Sequence, residues 1–245
     1  MACKAVILDY IGTLVEPCDY SLEASRVKLH KFLCEAGLKC GFEEFLGAYM
    51  KAHEKYRVIR YEKLREVTNA VWVSEALSNV GIGVTVEDAR LKAALNCFFK
   101  NFVDSLQLRP YATKLIKTAA QCCKVGLVSN FTYAPAIHAS LRKLRINQFF
   151  KAVLVSEGIG WRKPHRTIFE ETLKMLQVNA EEAVFVGDSP IEDIKGARAA
   201  GMKTVFVASQ FCSVADLRKS GQKADLAFGS VEEIYRNLPR VLEIV

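Results

Sequence analysis

No stretch of this chain approaches the roughly 18 consecutive apolar residues needed to span a bilayer. The run Ala5-Val6-Ile7-Leu8 stops at Asp9, too soon for the apolar core of a signal peptide. A membrane partner and secretion are therefore disfavoured, and a cytoplasmic location is expected. No block of about five or six like charges occurs, so the 34 basic residues behind the formal charge of +7 form no strip of the kind that grips nucleic acid. The cysteines, at 3, 18, 34, 40, 97, 122, 123 and 212, include no C-x-x-C pair and no Cys/His group at zinc-ligand spacing. They are read as buried, reduced thiols, with disulfides an alternative only in a hyperthermophile. Neither an internal repeat nor a low-complexity segment is present.

What is present is the composition of an ordered domain in water: 51% hydrophobic and 25% charged residues over a length of 245. That length allows one large domain, or a core with a smaller one inserted. The scattered positive charge suits an acidic small substrate such as a phosphate ester.

The apolar run 5–8 ends at Asp9 and is followed by Gly12, the signature of a buried parallel strand stopping at a turn. Helical periodicity then takes over, predicting helices over 22–36, 42–55, 67–79 and 86–102, the last capped by Thr85 and Asp88. After Leu108 the rhythm becomes helix then strand: 112–123 and 124–128, 134–144 and 152–155, 167–176 and 183–186, 191–200 and 204–207, 214–220 and 225–228, with Ser230 and Glu233 capping a final helix. Such alternation predicts an α/β fold, a doubly wound parallel sheet of Rossmann-like type, and the helical block interrupts it as an inserted α-helical bundle. The expected division is a core of residues 1–15 and 106–245 with a cap of residues 16–105.

Four short motifs fall at predicted strand ends or in the loops beyond them: Asp9-Tyr10-Ile11-Gly12-Thr13-Leu14, Ser129-Asn130, Lys163-Pro164 and Gly187-Asp188-Ser189-Pro190-Ile191-Glu192-Asp193. A carboxylate at a strand end can attack phosphorus or an activated carbon and form a covalent ester, splitting one difficult displacement into two. Taken singly, Ser129-Asn130 and Lys163-Pro164 read equally well as loop punctuation, a lone Asp9 reads more readily as a turn or cap residue, and Gly187-Asp188 is a weaker signal still. In this order, with a helical insertion after the first, they resemble the haloacid dehalogenase superfamily, in the branch whose helical cap follows the first motif.

The resemblance implies a hydrolase with Asp9 as nucleophile and magnesium (Mg2+) held by Asp9, the Ile11 carbonyl and Asp188, a set of oxygens that suits that ion. Asp193 would reach the ion through water or orient Lys163. Lys163 would be a mobile cation neutralising charge on the phosphoryl group, while Ser129, Asn130, Gly12 and Thr13 line or shape the substrate site. The expected activity is that of a phosphatase acting on a small phosphorylated metabolite through an aspartyl-phosphate intermediate. The protein itself is expected to be a monomer or homodimer.

The sequence departs from the pattern at one position. Phosphatases of this family carry a second aspartate two residues after the nucleophile, which exchanges protons with the leaving alcohol and the attacking water; here the residue is Ile11. Positioned acid–base catalysis is typically worth about 10²–10⁴-fold. Glu16, Tyr20 and His30 are candidate substitutes near the entry to the cap. The same gap is shared by dehalogenases and phosphonatases, although Asp188 keeps the metal-type fourth motif, no arginine-bearing halide loop can be aligned, and Lys28, Lys31, Lys51, Lys55 and Lys63 offer no single choice for a phosphonatase lysine. A catalytically weak binder of a phosphorylated ligand or a partner is a further alternative. His30, His53, His138 and His165 are read as surface or satisfied side chains, and Phe98, Phe99 and Phe102 as core.

Overall fold

The computed structural model describes residues 2–245. The chain begins with β1 (Ala5–Leu8), whose side chains are all buried, as a strand covered on both faces requires. It then forms β2 (Val15–Pro17), four helices, α1 (Leu22–Glu35), α2 (Phe42–Glu62), α3 (Asn69–Asn79) and α4 (Ala89–Ser105), and returns through β3 (Leu106–Leu108). Alternation follows: α5 (Ala112–Cys122), β4 (Lys124–Ser129), α6 (Ala134–Lys143), β5 (Ala152–Val155), α7 (Ser156–Ile159), α8 (Arg166–Leu176), β6 (Ala183–Gly187), a π-type turn at Pro190–Lys195, α9 (Gly196–Ala199), β7 (Lys203–Val207), α10 (Val214–Lys219), β8 (Leu226–Phe228), α11 (Val231–Arg236) and α12 (Leu238–Leu242).

The main sheet is parallel in the order β5-β4-β1-β6-β7-β8. The chain winds outward from β1 to β5, then restarts at β6 on the other side of β1. The carboxyl ends of β1 and β6 therefore flank the point where winding reverses, which is where sheets of this kind open a crevice for ligands. Val6 and Leu8 face one apolar layer and Ala5 and Ile7 the other. The first layer is continuous with the inserted helices: Leu29, Phe45, Trp72 and Leu95 belong to the same buried cluster as Leu8, Leu127 and Val186. Burying one such side chain contributes roughly 1.5–3 kcal/mol, so the helices are held to the sheet by apolar contact.

Several sequence expectations need adjustment. Helix α2 runs to Glu62 rather than ending at 55, and the buried residue on its last turns is Arg60, a charge that apolar periodicity does not register. The cap of α4 is Asp88 alone, which accepts from the Arg90 amide; Thr85 lies a turn earlier and offers only its carbonyl, to the Asp88 amide. The helix expected from 191 begins instead as the π-type turn, because the Asp193 and Ile194 amides both reach the Ser189 carbonyl. Strands β2 and β3 form an antiparallel ribbon, pairing Val15 with Leu108 and Pro17 with Leu106; three residues containing a proline are too few to show alternation. The cysteines are all free, but none is fully buried: Cys122 is exposed and the other seven are half-buried. Cys3, Cys40 and Cys123 sit against the margin of the core rather than within it. Among the described residues no helix is long and apolar enough to cross a membrane.

Candidate active site

The motif residues converge on one cavity of about 430 Å³, lined by Asp9, Ile11, Ser129, Asn130, Asp188, Ser189 and Asp193 among others. Asp9 follows β1, and its amide donates to the Val186 carbonyl at 2.9 Å, fixing it beside the end of β6. Gly12, at φ +94°, turns the chain away; a Cβ there would collide with the Asp188 carboxylate, so only glycine lets the two loops approach. Thr13 is buried with its hydroxyl unpartnered and lies outside the cavity wall.

Lys163 lies beneath this floor, 2% exposed. Its Nζ donates to Asp9 Oδ1 at 2.6 Å, to Asp193 Oδ1 at 2.6 Å and to the Val128 carbonyl at 3.2 Å. An ammonium has three N–H donors, and all three are engaged. The expected mobile cation is instead a pinned one that neutralises its two carboxylates. Burial acts to lower the Lys163 pKa, but Asp193 and Asp9 outweigh it and hold the pKa above the ordinary value. Asn130 explains the pinning of the backbone: its amide donates to the Lys163 carbonyl at 3.0 Å and accepts from the Lys163 amide at 2.8 Å. Its role is support for Lys163, beside any contact with substrate.

The acidic groups divide into two kinds. Asp193 has a partner on each oxygen, with Oδ1 on Lys163 and Oδ2 accepting from the Ser189 amide at 2.9 Å; burial still pushes its pKa up. Asp9 Oδ2, by contrast, is buried with no partner. Burial, then the charge on Asp9, pushes Asp188 up to about 7, against the pull of the Ser209 hydroxyl, which donates to Asp188 Oδ2 at 2.5 Å. Carboxylate oxygens of Asp9, Asp188 and Asp193 lie within 4.8 Å of one another. Two carboxylates at adjacent strand ends, one with an orphaned oxygen and one driven toward protonation, form a donor set that fits a hard divalent cation.

Other residues of the site carried little sequence signal. Ser209 lies just past β7, and the Phe211 and Cys212 amides donate to its Oγ, so the strand-end rule could have found it. Arg109 donates to the Gly12 carbonyl at 2.5 Å and the Ala208 carbonyl at 2.7 Å, and pairs with Glu16 at 3.0 Å, tying the first-motif loop to the loop after β7. On the cavity's far wall stand Arg60, Tyr61 and Arg162. The Glu66 side chain, wholly buried, accepts from Arg60 at 2.8 Å and Arg162 at 2.7 Å. The backbone joins the same two regions, the Glu66 amide donating to the Gly160 carbonyl and the Arg162 amide to the Leu64 carbonyl.

The candidate substitutes for the missing acid do not reach the cavity wall. Glu16 is paired with Arg109, His30 is bonded to the Cys40 carbonyl at 2.9 Å, and Tyr20 lines a separate, smaller cavity. None of Lys28, Lys31, Lys51, Lys55 and Lys63 lines the site either. Phe98, Phe99 and Phe102 are buried in the core as expected, and they also wall that smaller cavity.

The site is thus a carboxylate pair at the switch point of a parallel sheet, with a buried lysine behind it. A family model described as haloacid dehalogenase-like hydrolase matches residues 38–207, and the chain belongs to that family. It is similar to the glyceraldehyde 3-phosphate phosphatase of Methanothermobacter thermautotrophicus, 30% identical over 84% of this chain and 86% of that protein. The ribulose-1,5-bisphosphate 5-phosphatase of Halopiger xanaduensis is 28% identical over 94% of this chain and 97% of its own. Among solved structures, a 2-haloacid dehalogenase from Pseudomonas syringae pv. tomato superposes with a TM-score of 0.65 at 22% identity, covering 98% of this chain and 97% of that one. A magnesium-bound hydrolase of the same superfamily from Bacillus subtilis gives 0.61 at 20% identity, covering 98% of this chain and 100% of that one. At these identities the two structures speak for the fold.

Proposed function

We propose that the chain is a magnesium-dependent phosphatase acting on a small phosphorylated metabolite. The observation that carries the proposal is the asymmetry of Asp9: one oxygen is fixed by Lys163, and the other is unpartnered in a residue that lines the cavity opposite Asp188. The two similar phosphatases support the substrate class. In the first step an Asp9 oxygen forms a bond to phosphorus as the bond to the leaving oxygen breaks; in the second, water displaces Asp9 and releases phosphate. Asp9, Asp188 and the Ile11 carbonyl would hold the ion, which supplies positive charge against the phosphoryl oxygens and between the two carboxylates. Lys163 aims Asp9, Asp193 holds Lys163, and Ser129 and Asn130, which line the same cavity, would donate to the phosphoryl oxygens.

Ile11 can give no proton to the leaving alcohol and take none from the water. The titratable side chains lining the cavity, besides the three aspartates and the arginines, are Tyr61, Glu192 and Cys212. Hydrolysis of alkyl esters is therefore slow relative to that of activated aryl esters, which need less protonation. Residues 16–105 act as the cap that selects the leaving group, in a cytoplasmic protein that is a monomer or homodimer and binds no nucleic acid. Ile11 also favours a second reading, displacement at carbon, since halide leaves without a proton. Phosphate release from an ester panel with and without magnesium, beside halide release from 2-haloacids, tests both. Metal-dependent phosphate release abolished by Asp9→Asn supports the first reading, and halide release without phosphate release replaces it by the second.

A further inference from the structure

The carboxyl ends of β1 and β4 carry Asp9 and Ser129, and their amino ends carry a pair of cysteines that the phosphoryl site does not use. The two strands run in parallel with Ala5 beside Lys124, and the Lys124 amide donates to the Lys4 carbonyl at 3.0 Å. That register brings Cys3 and Cys123, which precede the strands, alongside each other. Neighbouring strands lie about 4.8 Å apart and each residue rises about 3.3 Å, so an offset of one residue puts the two Cα atoms roughly 5–6 Å apart. A disulfide spans about 4.4–6.8 Å. Both side chains pack against the same apolar layer, the one that contains Val6 and Val125, and the two thiols are hydrogen-bonded to each other.

Both thiols are half-buried, so a small oxidant can reach them, while Cys122 beside them is exposed. The two sulfurs are not equivalent. Their mutual hydrogen bond holds Cys3 below the ordinary thiol pKa in spite of burial, and the same bond, together with burial, pushes Cys123 up. When both are protonated, Cys3 donates to the Ala5 carbonyl and Cys123 to the Ala119 carbonyl, each at 3.4 Å. Loss of the Cys3 proton leaves its sulfur as an acceptor for the Cys123 S–H. Cys3 is therefore the sulfur that becomes a thiolate, the form that reacts with oxidants.

We infer that Cys3 and Cys123 form an oxidisable dithiol, a modification site for hydroperoxides, which closes to an intramolecular disulfide and staples β1 to β4. The Cys3 thiolate attacks one peroxide oxygen, the O–O bond breaks, and the departing hydroxide takes up the proton that Cys3 released. Cys3 is left as a sulfenic acid. The Cys123 sulfur then attacks the Cys3 sulfur; the S–S bond forms as the S–O bond breaks, and the hydroxide leaves as water with the Cys123 proton. The two thiols together lose two hydrogens, and one hydrogen peroxide is reduced to two waters. The bond lies at the end of the sheet opposite the cavity, so it fastens the strands that carry Asp9 and Ser129 without entering the site.

The whole chain is treated with hydrogen peroxide, alkylated with iodoacetamide and digested with trypsin without reduction. Mass spectrometry should find residues 1–4 joined to residues 118–124, with the loss of two hydrogens, in the parent protein and in Cys122→Ser. Cys3→Ser and Cys123→Ser should lack the link. Oxidation should raise the melting temperature of the parent by about 5–15 °C, as a disulfide closing a long loop does, and dithiothreitol should remove the gain. A link placed on Cys122, a bond between two copies of the chain, or a Cys3 that ends alkylated or as a sulfinic acid overturns the inference. A linked protein that melts no higher than the reduced one overturns the staple. Fragmentation of the linked peptide distinguishes Cys122 from Cys123 in the unsubstituted protein, so the test stands even where a serine variant fails to fold.

Discussion

Lys163 Nζ lies 2.6 Å from Asp9 Oδ1, and a second aspartate, Asp193, holds the same ammonium at the same distance. The lysine is thus a shared counter-charge for Asp9, the proposed nucleophile, and for a structural carboxylate. Removing one member of a buried ion cluster typically costs about 3–5 kcal/mol, because the charges left behind are unpaired. Lys163→Met should lose stability of that order in urea unfolding, and magnesium should recover part of the loss by supplying positive charge beside Asp9. A variant as stable as the parent without metal would show that the cluster is neutralised in another way.

Asp188 should dominate metal affinity. Asp188→Asn keeps the acceptor for the Ser209 hydroxyl and removes the charge, so magnesium binding should weaken by at least about tenfold, the loss of roughly 1.4 kcal/mol. Ser209→Ala, which leaves the charge intact, should weaken it far less. Calorimetry on both variants checks the order, and the reverse order would remove Asp188 from the ion's ligands.

Glu66 is shared by Arg60 and Arg162, and Arg162 also lies 3.5 Å from a carboxylate oxygen of Glu192. Glu66→Ala strands the buried Arg60 guanidinium and leaves Arg162 only the longer contact to Glu192, and should destabilise the protein by about 3–5 kcal/mol, whereas Glu66→Gln, retaining the shape and one acceptor oxygen, should cost less. Thermal unfolding of the pair measures the difference. Equal melting temperatures for Ala and Gln variants would mean that the charge of Glu66 is immaterial.

Ile11→Asp should restore a proton donor where the family's acid stands. The expected gain toward an alkyl phosphate is on the order of 10–10³-fold, below the full acid–base effect because the surrounding side chains are not tuned to a further carboxylate. An activated aryl phosphate should gain less. The ratio of the two gains is the useful number, since altered metal binding would raise both alike. A folded, magnesium-binding Ile11→Asp protein that hydrolyses neither ester faster would show that the missing acid is not limiting.

The sheet and the four motif loops were legible in sequence because they rest on short-range signals: buried apolar runs ending at Asp9, Ser129 and Asp188, and polar caps such as Ser230 that the structure reproduces. The support of the site was not legible. Arg109 reaches the Gly12 carbonyl across 97 positions, and Glu66 joins Arg162 across 96, and nothing local marks a buried charge whose partner lies that far along the chain. Asn130 was legible as a loop residue but not as the brace of the Lys163 backbone.

The ribbon of β2 and β3 places the start and the end of the inserted helices side by side, with Val15 opposite Leu108. For chain entropy the insertion is then a loop whose ends are already closed. The closure cost grows only logarithmically with length, about 0.6 kcal/mol for each doubling. Helices could be lengthened, exchanged or duplicated between these strands while the geometry of Asp9 and Asp188 is kept. The limit is set elsewhere: any replacement must still offer an acid to Arg162 and a backbone partner to Gly160. Grafting experiments should therefore carry residues 64–66 with the recipient core, whatever helices they import.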